Sequence, residues 1–118
     1  MRSDPAEYKE IVAKLLDKTR QRKVEWKRAH ANNFRCTLPA PDASFLEFTV
    51  LDDEGQRVLR MSDQDRNTIF VAKTNDLPTS PEEEEASQMI EEIYDNARRQ
   101  ALRVEDKLDL ASTLLDRV

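Results

Sequence analysis

An α+β domain is the fold class this sequence predicts, with an N-terminal helix, an antiparallel β-meander of three to five strands, and one or two C-terminal helices packed on one face of the sheet. Three observations predict it. Apolar residues recur at three- and four-residue steps near the start of the chain and again beyond Ser80, and between these stretches the period drops to two. The connections between the period-two runs are short, which favours antiparallel neighbours over crossovers. With 118 residues and no linker, 1–118 reads as one domain with one modest core.

The first helix is announced by Asp4-Pro5-Ala6-Glu7: an N-cap acid, proline at the first helical position and glutamate at the third. Tyr8, Ile11, Val12, Leu15 and Leu16 then form an apolar stripe, and Glu10 and Lys14 are spaced for a surface ion pair. The spacing predicts a helix from Pro5 to about Gln21, with Lys18, Arg20, Arg22 and Lys23 near its C-terminal end, where positive charge complements the helix dipole.

From Val24 the side chains alternate. Val24 and Trp26 alternate with Glu25 and Lys27, a turn is expected at Ala29 to Asn33, and Phe34, Cys36 and Leu38 alternate with Arg35 and Thr37. Pro39 and Pro41 end this second strand, and Leu46, Phe48 and Val50 mark a third. Gly55 is the only glycine, and it falls where a hairpin needs a residue tolerant of positive φ. Gln56 to Met61 follows as the fourth strand. Thr68 to Lys73 is a short β-prone run that is either a fifth strand or part of a loop.

The longest stripe belongs to the stretch from Thr79 to Leu102. Ser80 is the N-cap, Pro81 the first helical residue and Glu83 the capping-box carboxylate; Ala86, Ile90, Ile93, Tyr94, Ala97 and Ala101 then lie on one face. Val104, Leu108, Ala111, Leu115 and Val118 continue the three-four spacing, which predicts a last helix or a kinked continuation.

Composition narrows the function classes. The chain is 38% apolar and 36% charged, against roughly 45–50% and about 25% in average globular proteins, so core material is scarce, which leaves room for a partner or second copy to cover part of the surface. One cysteine makes no internal disulfide, and the first residues lack the apolar run of a signal peptide; a cytoplasmic location is expected. No segment approaches the ~20 apolar residues of a membrane span. Residues 1–40 hold ten cationic and five acidic residues, and residues 41–118 hold nine and nineteen. A basic front therefore precedes an acidic back, and the two can attract each other or different partners.

Chemistry-bearing constellations are few. His30 is the only histidine and is expected in the connection between the first two strands, while Cys36 alternates toward the core; the dull reading, a small buried hydrophobe, outweighs a catalytic pair. Asp63, Asp65 and Asn67 open like an EF-hand, but Thr68 stands where glycine is needed and Thr74 where the bidentate glutamate belongs, so a solvated loop is expected. One Cys and one His exclude a zinc site of the usual kind, and a lone glycine excludes a phosphate-cradling loop. No cofactor, metal or catalytic residue is expected.

Two charged surfaces remain. Lys18 to Arg28 holds six cations with Trp26 among them, and Arg20, Arg22, Lys23 and Lys27 are the candidates for contacting a partner or phosphates, with a solvated helix end as the plainer reading. Glu82 to Asp95 holds seven acids and no base; Glu84, Glu91 and Asp95 are the candidates for contacting a basic partner or imitating a nucleic-acid backbone. The first acids also complement the N-terminal end of their helix, and this is their simplest use.

Lys23-Val24-Glu25-Trp26 behind an amphipathic helix, Val50-Leu51-Asp52-Asp53-Glu54-Gly55 in the meander, and Ile93-Tyr94-Asp95-Asn96-Ala97-Arg98-Arg99-Gln100-Ala101-Leu102 resemble a group of small bacterial proteins without an assigned function. The resemblance implies a helix, a meander and one or two C-terminal helices, and a bacterial or phage origin. It brings no site residues. The segment with Pro39, Pro41 and 68–73 fits it least.

The expected function is a non-catalytic interaction module: an accessory, adaptor or immunity-type subunit docking on a larger protein, itself basic where it meets the acidic helix. The second reading is nucleic-acid binding through residues 18–28, or mimicry by 82–95. A homodimer is a further arrangement compatible with the charge division. A small carboxylate enzyme comes third.

Overall fold

The computed structural model describes residues 5–74 and 77–118. In chain order the elements are α1 (Pro5–Arg20), β1 (Lys27–His30), β2 (Asn33–Pro39), β3 (Phe45–Asp53), β4 (Gln56–Asp63), β5 (Thr68–Lys73), α2 (Pro81–Ala101) and α3 (Val104–Asp116). The strands form one antiparallel sheet in the order β1-β2-β3-β4-β5. The fold is α+β, as the periodicities predict, and the run from Thr68 to Lys73 is a fifth strand.

The start of α2 has a local cause. Ser80 has extended backbone angles, its Oγ accepts from the Glu83 N–H at 3.2 Å, and Pro81 occupies the first turn, so the expected cap is in place. Glu83 in turn accepts from the Thr79 hydroxyl at 2.8 Å. The expected Asp4 cap of α1 lies outside the described residues. Lys14 reaches Glu10 at 3.1 Å, as their spacing predicts. Between β3 and β4 the loop is Glu54-Gly55, both with positive φ, and the Gly55 N–H donates to Asp52 Oδ1 at 3.0 Å. That is the two-residue hairpin that the glycine predicts.

One sheet face carries Phe34, Cys36, Phe48, Val50, Leu59, Met61, Phe70 and Ala72, all buried. Onto it come Tyr8, Val12, Leu15 and Leu16 of α1 and Ala86, Ile90, Ile93, Tyr94 and Ala97 of α2. Tyr8 stacks on Phe70 with ring centroids 5.2 Å apart, and Phe34 meets Tyr94 edge-on at 5.8 Å. Lys9 pairs with Glu85 at 2.7 Å and Arg20 with Glu92, so α1 and α2 run side by side in the same sense. Such pairs are screened by water and add little; the common apolar layer holds the helices.

Two boundaries and one stripe residue differ from expectation. The first strand starts at Lys27, where the alternation of Val24 and Trp26 places it earlier. Both residues are buried, but in the connection from α1 to the sheet: the Trp26 indole N–H donates to Thr19 Oγ1 at 3.1 Å and its backbone N–H to Gln100 Oε1 at 3.0 Å. The turn is consequently shorter than Ala29 to Asn33, and His30 is the last residue of β1. Ile11, counted in the α1 stripe, is exposed, at the stripe's margin.

Candidate interaction surfaces

The acidic candidates form a coherent stripe. At 100° per residue, Glu84, Gln88, Glu91 and Asp95 fall on one side of α2, and all four are exposed. Of the other acids of this helix, Glu85 and Glu92 pair with α1 and Glu83 is held at the cap, while Glu82 is exposed in the first turn. No ion pair among the described residues involves Glu84 or Asp95. Of the three candidates, Glu84 and Asp95 are exposed without an ion pair among the described residues, while Glu91 lies 3.5 Å from Arg57 Nε.

Beside this stripe lies a shallow cleft of about 720 Å³, with Asn32, Arg57, Tyr94 and Arg98 lining it along with Glu91 and Asp95. Arg57 is its organising residue, and sequence reasoning does not single it out. It stands across the β3–β4 hairpin from Asp52, to which its guanidinium binds at 2.6 Å. The same guanidinium lies 4.2 Å from the centre of the Tyr94 ring, and its Nε is 3.5 Å from Glu91. That Nε is buried without a hydrogen-bond partner. Burial pushes the Tyr94 phenol above its ordinary range, with the Arg57 charge opposing the rise. A signal was available: Arg57 occupies an inward position in an alternating strand, where an unpaired cation would be costly. The carboxylates of the cleft, by contrast, stand open to water.

The basic candidates are dispersed. Arg20 turns to Glu92 on α2, and Arg22, with φ of +57°, and Lys23 occupy the turn after α1. Lys27 is in β1, opposite Arg35. Trp26, the base-stacking candidate, is 2% exposed and inside the core. The 18–28 segment thus divides between two sides of the molecule.

His30 and Cys36 do not form a pair. His30 is exposed at the end of the β1–β2 hairpin, while Cys36 faces the core, where burial pushes its thiol up to about 12. The carboxylate of Asp63 accepts from the backbone N–H groups of Asp65 and Asn67, both at 2.9 Å, and from the Asn67 side chain at 3.0 Å. These bonds, that from the Asn67 side chain foremost, hold Asp63 below the usual carboxylate range. The D-x-D-x-N spacing is that of a self-bonded turn.

A further surface emerges at the C-terminal end. α3 has no buried residue: Leu108, Leu110, Leu114 and Leu115 are 59%, 56%, 49% and 72% exposed. The spacing of Val104, Leu108, Ala111, Leu115 and Val118 predicts the helix or a kinked continuation, but not that the leucines of α3 stay bare. No described helix is long and apolar enough to cross a membrane. Comparison with protein-family models, curated proteins and solved structures yields no match, so the candidate surfaces rest on the chain's own chemistry.

Proposed function

We propose that this chain is a non-catalytic, cytoplasmic protein-interaction module, an accessory or adaptor-type subunit that docks on a larger protein. The observation that carries the reading is α3, a helix of 13 residues that buries nothing and presents four leucines to water. Contiguous apolar surface of this kind is what a protein interface uses, and a monomer gains nothing from exposing it. The stripe Glu84, Glu91 and Asp95 supports the same reading, because an acidic helix face steers a basic partner toward the apolar contact and raises the association rate.

The test is affinity capture from the source organism with the tagged full chain, followed by direct binding of the purified partner. Leu108→Asp with Leu115→Asp is expected to abolish binding, because each places a charge in the apolar contact. Reversing Glu84, Glu91 and Asp95 is expected to slow association about tenfold or more and to remove its salt dependence. Binding untouched by both sets overturns the proposal. Direct nucleic-acid binding through the 18–28 segment finds less support, since its cations diverge and its tryptophan is buried.

A further inference from the structure

The sheet face turned away from α1 and α2 carries a built charge pattern. Lys27 pairs with Arg35, Arg35 with Thr49, and Thr49 with Arg60, so the register sets three cations in one row across four strands. All three are exposed, while Thr49 between the two arginines is 6% exposed, consistent with cover from their aliphatic stems. None of the three has an ion-pair partner among the described residues, in contrast to Lys9, Arg20 and Arg57 on the helical side. Lys27 directly opposite Arg35 is a repulsive arrangement in the isolated chain. Glu47 and Asp53 also point to this face, but both lie outside the row.

The acidic stripe of α2 repeats the same spacing with the opposite sign. At a rise of 1.5 Å per residue, Glu84 and Glu91 stand about 10.5 Å apart and Glu91 and Asp95 about 6 Å. With strands about 4.8 Å apart, Arg60 and Arg35 stand about 9.6 Å apart and Arg35 and Lys27 about 4.8 Å. A helix laid across the strands therefore places Glu84 at Arg60, Glu91 at Arg35 and Asp95 at Lys27. The accumulated mismatch of about 2 Å is within the reach of these long side chains. Arg98, next along α2, then falls past the β1 edge of the sheet.

We infer that the open sheet face is the docking surface for the α2 acidic stripe of a second copy of this chain. The two surfaces lie on different parts of one molecule, so the contact is head-to-tail, and a pair of copies keeps one surface of each sign free, the row on one copy and the stripe on the other. Assembly then extends into a string or closes into a ring. The contact is electrostatic and weakens with salt. It does not involve the leucines of α3, and it is measured on the purified chain alone, so its outcome is separate from that of the partner proposal.

Sedimentation velocity of the full chain over a concentration series tests it. Wild type is expected to associate at low salt and to return to monomer at high salt. Arg35→Glu with Arg60→Glu, and Glu84→Arg with Glu91→Arg, are each expected to weaken association about tenfold or more. An equimolar mixture of the two variants is expected to associate again, because each reversed surface meets its complement on the other. Circular dichroism confirms that both are folded. Monomers at low salt overturn the inference, as does association that survives both reversals or is lost with Leu108→Asp instead. A wild-type monomer that binds a single-stranded oligonucleotide through Arg35 and Arg60 also overturns it, assigning the row to nucleic acid.

Discussion

α2 and α3 carry apolar residues at the same three- and four-residue steps, yet α2 buries its stripe completely at Ile90, Ile93 and Ala97 while α3 buries none. The difference lies in what each helix meets. α2 lies on the apolar face of the sheet beside α1. α3 begins after Arg103, whose left-handed backbone (φ +53°) ends the direction of α2 and starts a new helix off the layer. Among the described residues, the ion pair across the break is that of Arg99 with Glu105 at 2.9 Å. A three-four spacing thus reports a helix with an apolar side; whether that side is core or interface depends on the chain's path after the last turn.

The largest test of this contrast is truncation on each helix. Ile90→Ala removes a fully buried side chain and is expected to cost about 2–5 kcal/mol in urea unfolding. Leu115→Ala is expected to change stability by no more than about 0.5 kcal/mol. A comparable loss at both positions would mean that α3 is packed in solution, and the contrast would fail.

Cys36 sharpens the same comparison from the sheet. Its thiol is 2% exposed and its folded pKa is raised to about 12, chiefly by burial, so the folded state favours the neutral form. The sign follows: stability from this group is intact below the unfolded thiol's value near 9.0 and declines from there toward about pH 12. Cys36→Ala is expected to flatten that part of the alkaline unfolding profile. A thiol reagent is expected to label wild type only as fast as the core opens. Rapid labelling of the folded chain would show that the sheet's inner face is accessible.

Arg57 joins the two layers at the cleft, and Arg57→Ala is expected to cost about 1–3 kcal/mol through lost contact with Tyr94 and an unpaired Asp52. Thermal unfolding of Arg57→Lys separates the two contributions, because lysine keeps the charge and loses the planar stacking. If the lysine variant matches wild type, the ring contact contributes little.

The strands, the hairpin glycine and the start of α2 were legible because each is written in local chemistry: alternation in β2 through β4, the need for positive φ at Gly55, and Ser80-Pro81-x-Glu83. Val24 and Trp26 misplaced β1 because alternating burial is not confined to strands: both are buried in the connection between α1 and the sheet, with Trp26 bonded to Thr19 and Gln100. The acidic candidates stayed together because one helix holds them at a fixed pitch. The basic candidates did not, since a helix end, a turn and a strand carry them in different directions. The inward place of Arg57 is readable from strand alternation, but its contacts with Asp52, Glu91 and Tyr94 and the Lys27-Arg35-Arg60 row come from strand pairing and helix packing, which a one-dimensional pattern does not contain.

The smallest expected effect lies at the helix starts. Ser80 Oγ satisfies one of the four free N–H groups that begin α2, whereas Arg103 makes no side-chain cap bond to α3. Ser80→Ala is therefore expected to cost about 1 kcal/mol, and Ser80→Asp to restore it, because a carboxylate accepts the same bond and also meets the positive end of the helix. Three glutamates already crowd that first turn, Glu82, Glu83 and Glu84, so the recovery with aspartate should grow as salt screens their repulsion. A recovery that shrinks with salt would show instead that the helix end accepts a fourth negative charge readily. The acids of the first turn would then serve chiefly to hold α2, leaving Glu91 and Asp95 as the part of the stripe available for docking.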